Sequence, residues 1–329
     1  ISKLKYMKQI IVKNLKKTYK VQIKNKWFKN KIIDIFSPKY KTITAVNDIN
    51  FSVNSWEKVA FIWPNWAWKS TTIKLLCWIL SKSSWEINIL NLDPVKNRKK
   101  LVYKIWAVFG QTSKLWYHLT AYDTFLLFSK LYDIPKNEFE TKLNELVNIF
   151  EISDFINNPV RKLSLWQRMK CEIIASLLHN PQILFLDEPT IWLDMIAKQK
   201  LRETINQINS TKNTTIFLTS HDIWDIEDIC DRVIIINYWK IIYDWSILEL
   251  KQNHIKTKII DLKLSKYIAD LQFPDFVKVL EYSKNHLSLE IENKKEQINS
   301  TLEFLNNSVD FEDISIKEPS LEEIIKTFY

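Results

Sequence analysis

Glycine is all but missing from this chain. There is one in 329 residues, Gly110. A soluble protein of ordinary composition is about 7% glycine, so about twenty are absent. No apolar run approaches the roughly 20 residues needed to span a bilayer, and the N-terminus shows no signal-peptide pattern. The chain is therefore expected to be soluble on its own. Cysteine is scarce as well. Cys77, Cys171 and Cys230 lie far apart and form no CxxC pair, which fits buried reduced thiols in a cytosolic protein. Present in excess is tryptophan, with 14 residues. Lysine, isoleucine and asparagine are abundant too, as an AT-rich genome would give. The formal charge of +9 permits a nucleic acid or an anionic membrane surface as partner, but AT-rich coding inflates lysine and weakens that inference. The length suits one large domain plus a small one, or two domains.

The tryptophans stand where glycine is physically demanded. Residues 63–71 read Trp-Pro-Asn-Trp-Ala-Trp-Lys-Ser-Thr. With glycine at Trp63, Trp66 and Trp68 this becomes G-P-N-G-A-G-K-S-T, a full phosphate-binding loop. Three explanations compete. The printed tryptophans mark TGA codons that the source reads as glycine; or they are real and the site is dead; or they form a stacking surface for bases or sugars. Sterics favour the first. A phosphate loop needs φ > 0 and close backbone approach, and a residue with a Cβ pays about 1–2 kcal/mol in the left-handed region. An indole would also fill the anion's space. The tryptophans follow no helical or strand period that could build a platform. Trp116 is kept as a true tryptophan, and Trp27 stays open.

Local pattern places the loop. Residues 8–19 suggest a first strand and turn, 20–43 a basic surface excursion, and 45–53 a half-buried strand. Lys58–Ile62 is a short apolar strand, and Lys69–Leu80 reads as a helix with Ile73, Leu76, Cys77 and Leu80 at helical spacing. Strand, loop and helix is the setting a phosphate site requires. Residues 121–158 are helix-rich. Ile183–Leu186, Thr215–Thr219 and Arg232–Ile236 read as strands. A composition shift near residue 250 separates domain 1–250 from a small α+β domain, 251–329. Strands there are expected at Lys258–Leu264, Val277–Tyr282 and Leu287–Ile291, with helices at Lys295–Asn306 and Ser320–Phe328. That domain shows no recognisable chemistry, and an accessory role is expected.

The loop Trp63, Pro64, Asn65, Trp66, Ala67 and Trp68 would cradle phosphate oxygens with its backbone N–H groups. Lys69 would reach the β- and γ-phosphates, Ser70 would supply a hydroxyl for Mg²⁺, and Thr71 would support the α-phosphate. The run Ile-Leu-Phe-Leu-Asp-Glu at 183–188 delivers Asp187 to the metal shell and places Glu188 to polarise an attacking water. Leu-Ser-Leu-Trp-Gln at 163–167, restored to L-S-L-G-Q, opens a helix whose N–H groups and Ser164 can meet a phosphate.

This last segment resembles the signature motif of ATP-binding cassette (ABC) proteins, and the other motifs fall in that family's order. The resemblance covers roughly residues 8–248, and more loosely the tail. It implies an α/β P-loop core with a helical signature subdomain at about 112–165. Gln111 matches the loop glutamine that senses magnesium and the transport partner, and Asp194 lies in the loop after the catalytic Glu188. His221 matches the switch histidine on the γ-phosphate, and Tyr19 the aromatic that stacks on adenine. Trp166 and Gln167, with Ser164, would face the nucleotide of a second copy. The ligands implied are ATP and Mg²⁺. Gly110–Thr120, G-Q-x-S-x-L-W and a Leu-Thr step, resembles the ATPase subunits of ABC-2-type exporters, whose tryptophan aligns with Trp116. The departures are the tryptophans and Leu165 in the signature. The implied partners are an ABC-2-type membrane permease and a second ATPase subunit in a homodimer, peripheral on the inner face of the cell membrane. An alternative is a soluble ATPase of the same class acting on nucleic acid or ribosomes. Such proteins usually carry two cassettes or a long coiled-coil insertion, which this chain lacks, so no direct nucleic-acid contact is expected. A cassette with genuine tryptophans would be inactive.

Overall fold

The computed structural model describes residues 7–22, 40–63, 66–77, 79–80, 84–110, 112–191, 193–254, 257–266, 271 and 273–328. Side chains at 66–69, 84, 85 and 254 lie outside the description. Two compact units are Ile1–Trp245 and Ser246–Tyr329. In chain order the first contains β1 (Lys8–Gln22), β2 (Tyr40–Asn54), β3 (Lys58–Ile62), α1 (Trp66–Leu76), β4 (Ser84–Ile89), α2 (Arg98–Val102) and β5 (Ile105–Phe109). It continues with α3 (Ala121–Leu131), α4 (Lys136–Phe150), α5 (Leu165–Leu177), β6 (Ile183–Asp187) and α6 (Met195–Lys212). Then follow β7 (Thr215–Thr219), α7 (Ile223–Ile229), β8 (Arg232–Asn237) and β9 (Lys240–Ser246).

Two sheets make this unit. The six-stranded one has the order β5-β6-β7-β3-β8-β9, and its neighbours from β5 to β8 pair in parallel. Continuous apolar runs explain its centre: every residue of Ile183–Asp187 and Thr215–Thr219 is buried, as expected of strands covered on both faces. The other sheet, β2-β1-β4, is antiparallel. A shared core joins them, with Phe51 of β2 lying 5.7 Å from Phe61 and 6.0 Å from Phe217 between ring centroids. Helices α3 and α5 begin at capping boxes, Thr120 with Asp123 and Ser164 with Gln167, each satisfying N–H groups that a helix start leaves unpaired.

Several sequence expectations shift. The expected helix at Lys69–Leu80 is Trp66–Leu76 instead. Glycine weakens a helix by about 1 kcal/mol per position relative to alanine, a penalty that Trp66 and Trp68 do not carry. Of the basic stretch 20–43, residues 20–22 and 40–43 are strand, with Gln22 opposite Tyr40, and 23–39 lie outside the described residues. Strands β4, β5 and β9 were not anticipated.

Two tryptophans adopt the left-handed conformation. Trp56, between β2 and β3, has φ 64°, and Trp239 has φ 63° beside Tyr238 at 45°. Tyr238 and Trp239 form the two-residue turn between β8 and β9, where φ > 0 at both positions makes glycine the favoured second residue.

The second unit begins with α8 (Ile247–His254) and adds β10 (Thr257–Leu264), β11 (Lys278–Tyr282), β12 (His286–Glu292), α9 (Lys295–Ser308), β13 (Phe311–Lys317) and α10 (Leu321–Lys326). Its antiparallel sheet has the order β11-β12-β10-β13. Alternating inward residues, among them Ile260, Leu262, Leu287, Leu289 and Ile291, build a small core with Leu305 of α9. Among the described residues, no helix is long and apolar enough to cross a membrane.

Candidate active site

Register alone brings the chemistry together. Phe109 of β5 lies opposite Asp187 of β6, and Asp187 opposite Thr219 of β7. β3 runs beside β7, with Ala60 opposite Leu218. The residues that leave these strands therefore emerge side by side at one end of the sheet: Gly110, Asp187–Glu188, Ser220–His221 and Trp63. Carboxyl ends of parallel strands are where such folds bind ligands.

Asp187 and Glu188 are buried, 6% and 4% exposed. Two oxygen-bearing groups this deep need partners. Thr219 Oγ1 donates to Asp187 Oδ1 at 2.7 Å, and the Glu188 N–H donates to the Thr219 carbonyl at 2.9 Å. Glu188 Oε2 meets His221 Nδ1 at 2.6 Å and accepts from the His221 N–H at 3.2 Å. His221 is half-exposed at 51% of its side chain. Glu188 itself sits at φ 52°, the left-handed region, which costs a non-glycine residue about 1–2 kcal/mol. That strain turns the carboxylate from strand direction toward His221.

Other predicted positions are placed less centrally. Ser164 Oγ accepts from the Gln167 N–H at 3.2 Å, and Gln167 Oε1 accepts from the Ser164 N–H at 2.9 Å, so the two side chains cap their own helix. Trp166 lies beneath Lys170, 5.3 Å from ammonium to ring. Asp194 caps α6 through the Ala197 N–H at 2.8 Å. Tyr19 is half-buried on β1, with the Lys17 ammonium 5.0 Å from its ring. Ser70 is half-buried and Thr71 buried on α1. Pro64, Asn65, Gln111 and Trp192 lie outside the described residues, as do the side chains of Trp66, Ala67, Trp68 and Lys69.

One group escaped the sequence reading. Asp225, fully buried on α7, accepts from Thr190 Oγ1, from Ser220 Oγ at 2.9 Å and from Arg202 Nε at 2.8 Å. It thereby ties the loop after Glu188, helix α6 and the His221 loop together. The acid-rich run Asp222–Asp228 does not single Asp225 out from its neighbours. All three cysteines are free, with Cys171 and Cys230 buried. Burial pushes the Cys171 thiol up to about 12.

Comparison with known proteins agrees with this geometry. Residues 46–191 match the family model described as ABC transporter. The chain is 28% identical over 236 residues to the ABC transporter ATP-binding protein NatA of Bacillus subtilis, covering 72% of this chain and 96% of that one. It is 27% identical to the bacitracin transport ATP-binding protein BcrA of Bacillus licheniformis, covering 86% and 92%. It is 30% identical to the methionine import ATP-binding protein MetN 1 of Listeria monocytogenes, covering 68% of each. Among solved structures, a dimeric ATP-binding cassette in a post-hydrolysis state with ADP and Pi superposes with TM-score 0.59 at 23% identity, covering 72% of this chain and 98% of that one.

Proposed function

Because the chain belongs to the ABC transporter family, as an ATP-binding ATPase of transport, we propose that it powers efflux through a separate ABC-2-type membrane permease. The observation that supports this is the strand order: Gly110, Asp187–Glu188, His221 and Trp63 follow the ends of four adjacent parallel strands. The export reading draws on the likeness to a bacitracin transport protein over 86% of the chain and on the G-Q-x-S-x-L-W segment.

In this proposal the tryptophans at 63, 66, 68, 166 and 192 are glycines in the natural protein. Trp56 and Trp239 at positive φ support that. So do the buried indole N–H groups of Trp106 and Trp239, which lack an acceptor among the described residues, at a cost of about 1–3 kcal/mol each. The glycine loop then cradles the phosphates of ATP, with Lys69 on the β- and γ-phosphates. Hard oxygen donors suit Mg²⁺: the Asp187 carboxylate and Ser70 hydroxyl, with Gln111, would hold it, and the ion would neutralise phosphate charge. Glu188 orients the attacking water and takes its proton, while His221, held by Glu188, contacts the γ-phosphate. Ser164 and residue 166 serve the nucleotide of a second identical copy.

A groove of about 390 Å³, lined in part by Val102, Phe109, Trp116, Phe128 and Tyr132, lies next to the Gly110 segment. Trp116 is 42% exposed there, and apolar surface left open marks an interaction site. A cytoplasmic helix of the permease is the proposed occupant, which places the chain peripherally on the inner membrane face. The second unit is assigned an accessory role.

The test is an ATP titration and hydrolysis assay on protein carrying glycine at those five positions, alone and with its permease. Micromolar ATP affinity and hydrolysis stimulated by the permease are expected. Absence of ATP binding would overturn the proposal.

A further inference from the structure

Glu172 is a second buried carboxylate, and the hydrolytic site does not use it. It lies on α5, the helix that Ser164 caps, and is 4% exposed. One of its oxygens, Oε1, accepts from Ser113 Oγ, from the Lys114 N–H at 2.5 Å and from the Leu115 N–H at 3.2 Å. Consecutive backbone N–H groups curled round an anion form a nest. Here the anion is a side chain supplied by another element. Burial raises the Glu172 carboxyl above the usual carboxylate range, while the three donors and the Lys114 charge pull the other way.

The segment that makes this nest begins at the hydrolytic site. The Gly110 N–H donates to the Asp187 carbonyl at 2.8 Å, and the Cα of Gly110 packs against Glu188. The Thr112 N–H closes a turn onto the Phe109 carbonyl at 3.0 Å. Gly110 is thus held by the Asp187–Glu188 strand, and residues 113–115 by the signature helix. Only Gln111 and Thr112 stand between the two holds. Glu172 is eight residues from Ser164, or about 12 Å along a helix axis.

A core carboxylate merely satisfied in place would make the same bonds. What separates the two readings is position: this one grips the segment carrying Gln111, and its helix carries the signature. We propose that Glu172 is a positioning residue. It fastens the Gln111 segment to the signature helix, so that movement of Gln111 at one nucleotide is passed to Ser164 and residue 166 facing the other. This deepens the ATPase reading above and rests on it.

The test uses the full chain with glycine at every tryptophan position except Trp116, whose indole then reports the segment it belongs to. Trp116 packs on Phe128 at 5.5 Å between centroids. Variants Glu172→Gln and Ser113→Ala are compared with the parent by acrylamide quenching of Trp116, thermal midpoint and steady-state hydrolysis. Both variants are expected to make Trp116 more quenchable without nucleotide, with the thermal midpoint of Ser113→Ala nearly unmoved. In both, kcat should fall roughly tenfold, KM should stay within about twofold, and the Hill coefficient for ATP should drop toward one. A loss of thermal midpoint with quenching, KM, kcat and Hill coefficient unchanged would overturn the inference and leave Glu172 a structural carboxylate. A parent that neither binds nor hydrolyses ATP would overturn the ATPase reading itself; the nucleotide-free quenching still tells whether Glu172 holds the segment.

Discussion

A Cβ on Gly110 would lie 2.0 Å from the backbone carbonyl oxygen of Glu188. The obstacle is backbone at the strained turn where Glu188 leaves its strand, so no side-chain rotation relieves it. Gly110→Ala should destabilise the protein by about 3 kcal/mol, at the upper end of overpacking costs. Hydrolysis should fall further than stability, because the displaced backbone carries Glu188, the proposed water-orienting carboxylate. Chemical denaturation beside single-turnover hydrolysis separates the two effects.

Glu188 and His221 act as one unit through the 2.6 Å contact between Oε2 and Nδ1. In protein carrying the glycine loop, Glu188→Gln should keep ATP affinity and lower kcat by about 10²–10⁴, the range of a lost general base. His221→Ala should lose a similar factor. The double variant should lose little more than either single one, since contacting residues are not additive. Additive losses in a double-mutant cycle would show that the two serve separate steps.

Trp56 and Trp239 offer a test that needs no nucleotide. Both carry a Cβ at positive φ, so Trp56→Gly and Trp239→Gly should each relieve about 1–2 kcal/mol of backbone strain. The Trp239 change also removes a buried indole N–H that has no acceptor among the described residues. Trp116→Gly is the control and should destabilise, since its ring packs on Phe128. Urea midpoints rank the three. Codon reading or intact mass of the natural protein gives the complementary answer, with TGA expected at 56 and 239 and TGG at 116.

His179 sets an acid limit. Burial lowers it from 6.5 to about 4, despite a hydrogen-bond contact with the Ile105 carbonyl at 3.4 Å. Its ring stacks on Tyr132 at 4.2 Å. Below pH 6.5 the unfolded chain binds a proton that the folded chain refuses until about pH 4. Its contribution is therefore full above 6.5 and is lost as pH falls through that window, by on the order of 2–3 kcal/mol. His179→Phe should flatten this part of the stability–pH profile while keeping the stack. An unchanged slope between pH 6.5 and 4 would assign the acid sensitivity to other groups.

What the sequence made legible was local. β3, β6 and β7 are unbroken apolar runs ending at Ile62, Asp187 and Thr219, so strand ends and site residues could be read together. β5, Ile105–Phe109, carries a tryptophan as its second residue and shows no alternation, so the pattern does not mark it although it positions Gly110. Glu172 and Asp225 were hidden for a different reason. Their partners are 57 to 59 residues away in the first case and up to 35 in the second, and a carboxylate in a helix gives no sign that it will meet them. The helix start at Trp66 shows the reverse problem. The loop is expected from glycines at 66 and 68, whereas the chain has tryptophans there and the helix begins at Trp66.

The chain's build order has a consequence for its transfer between genomes. β3 begins at Lys58, two residues after Trp56, and among the described residues the parallel sheet contains no strand earlier than β3. In a host whose ribosomes treat TGA as a stop, a message with that codon at position 56 would retain, of the elements described, only β1 and β2. An antiparallel pair alone is marginally stable at best. Such a message would lack every described strand of the parallel sheet, and with them Asp187, Glu188 and His221.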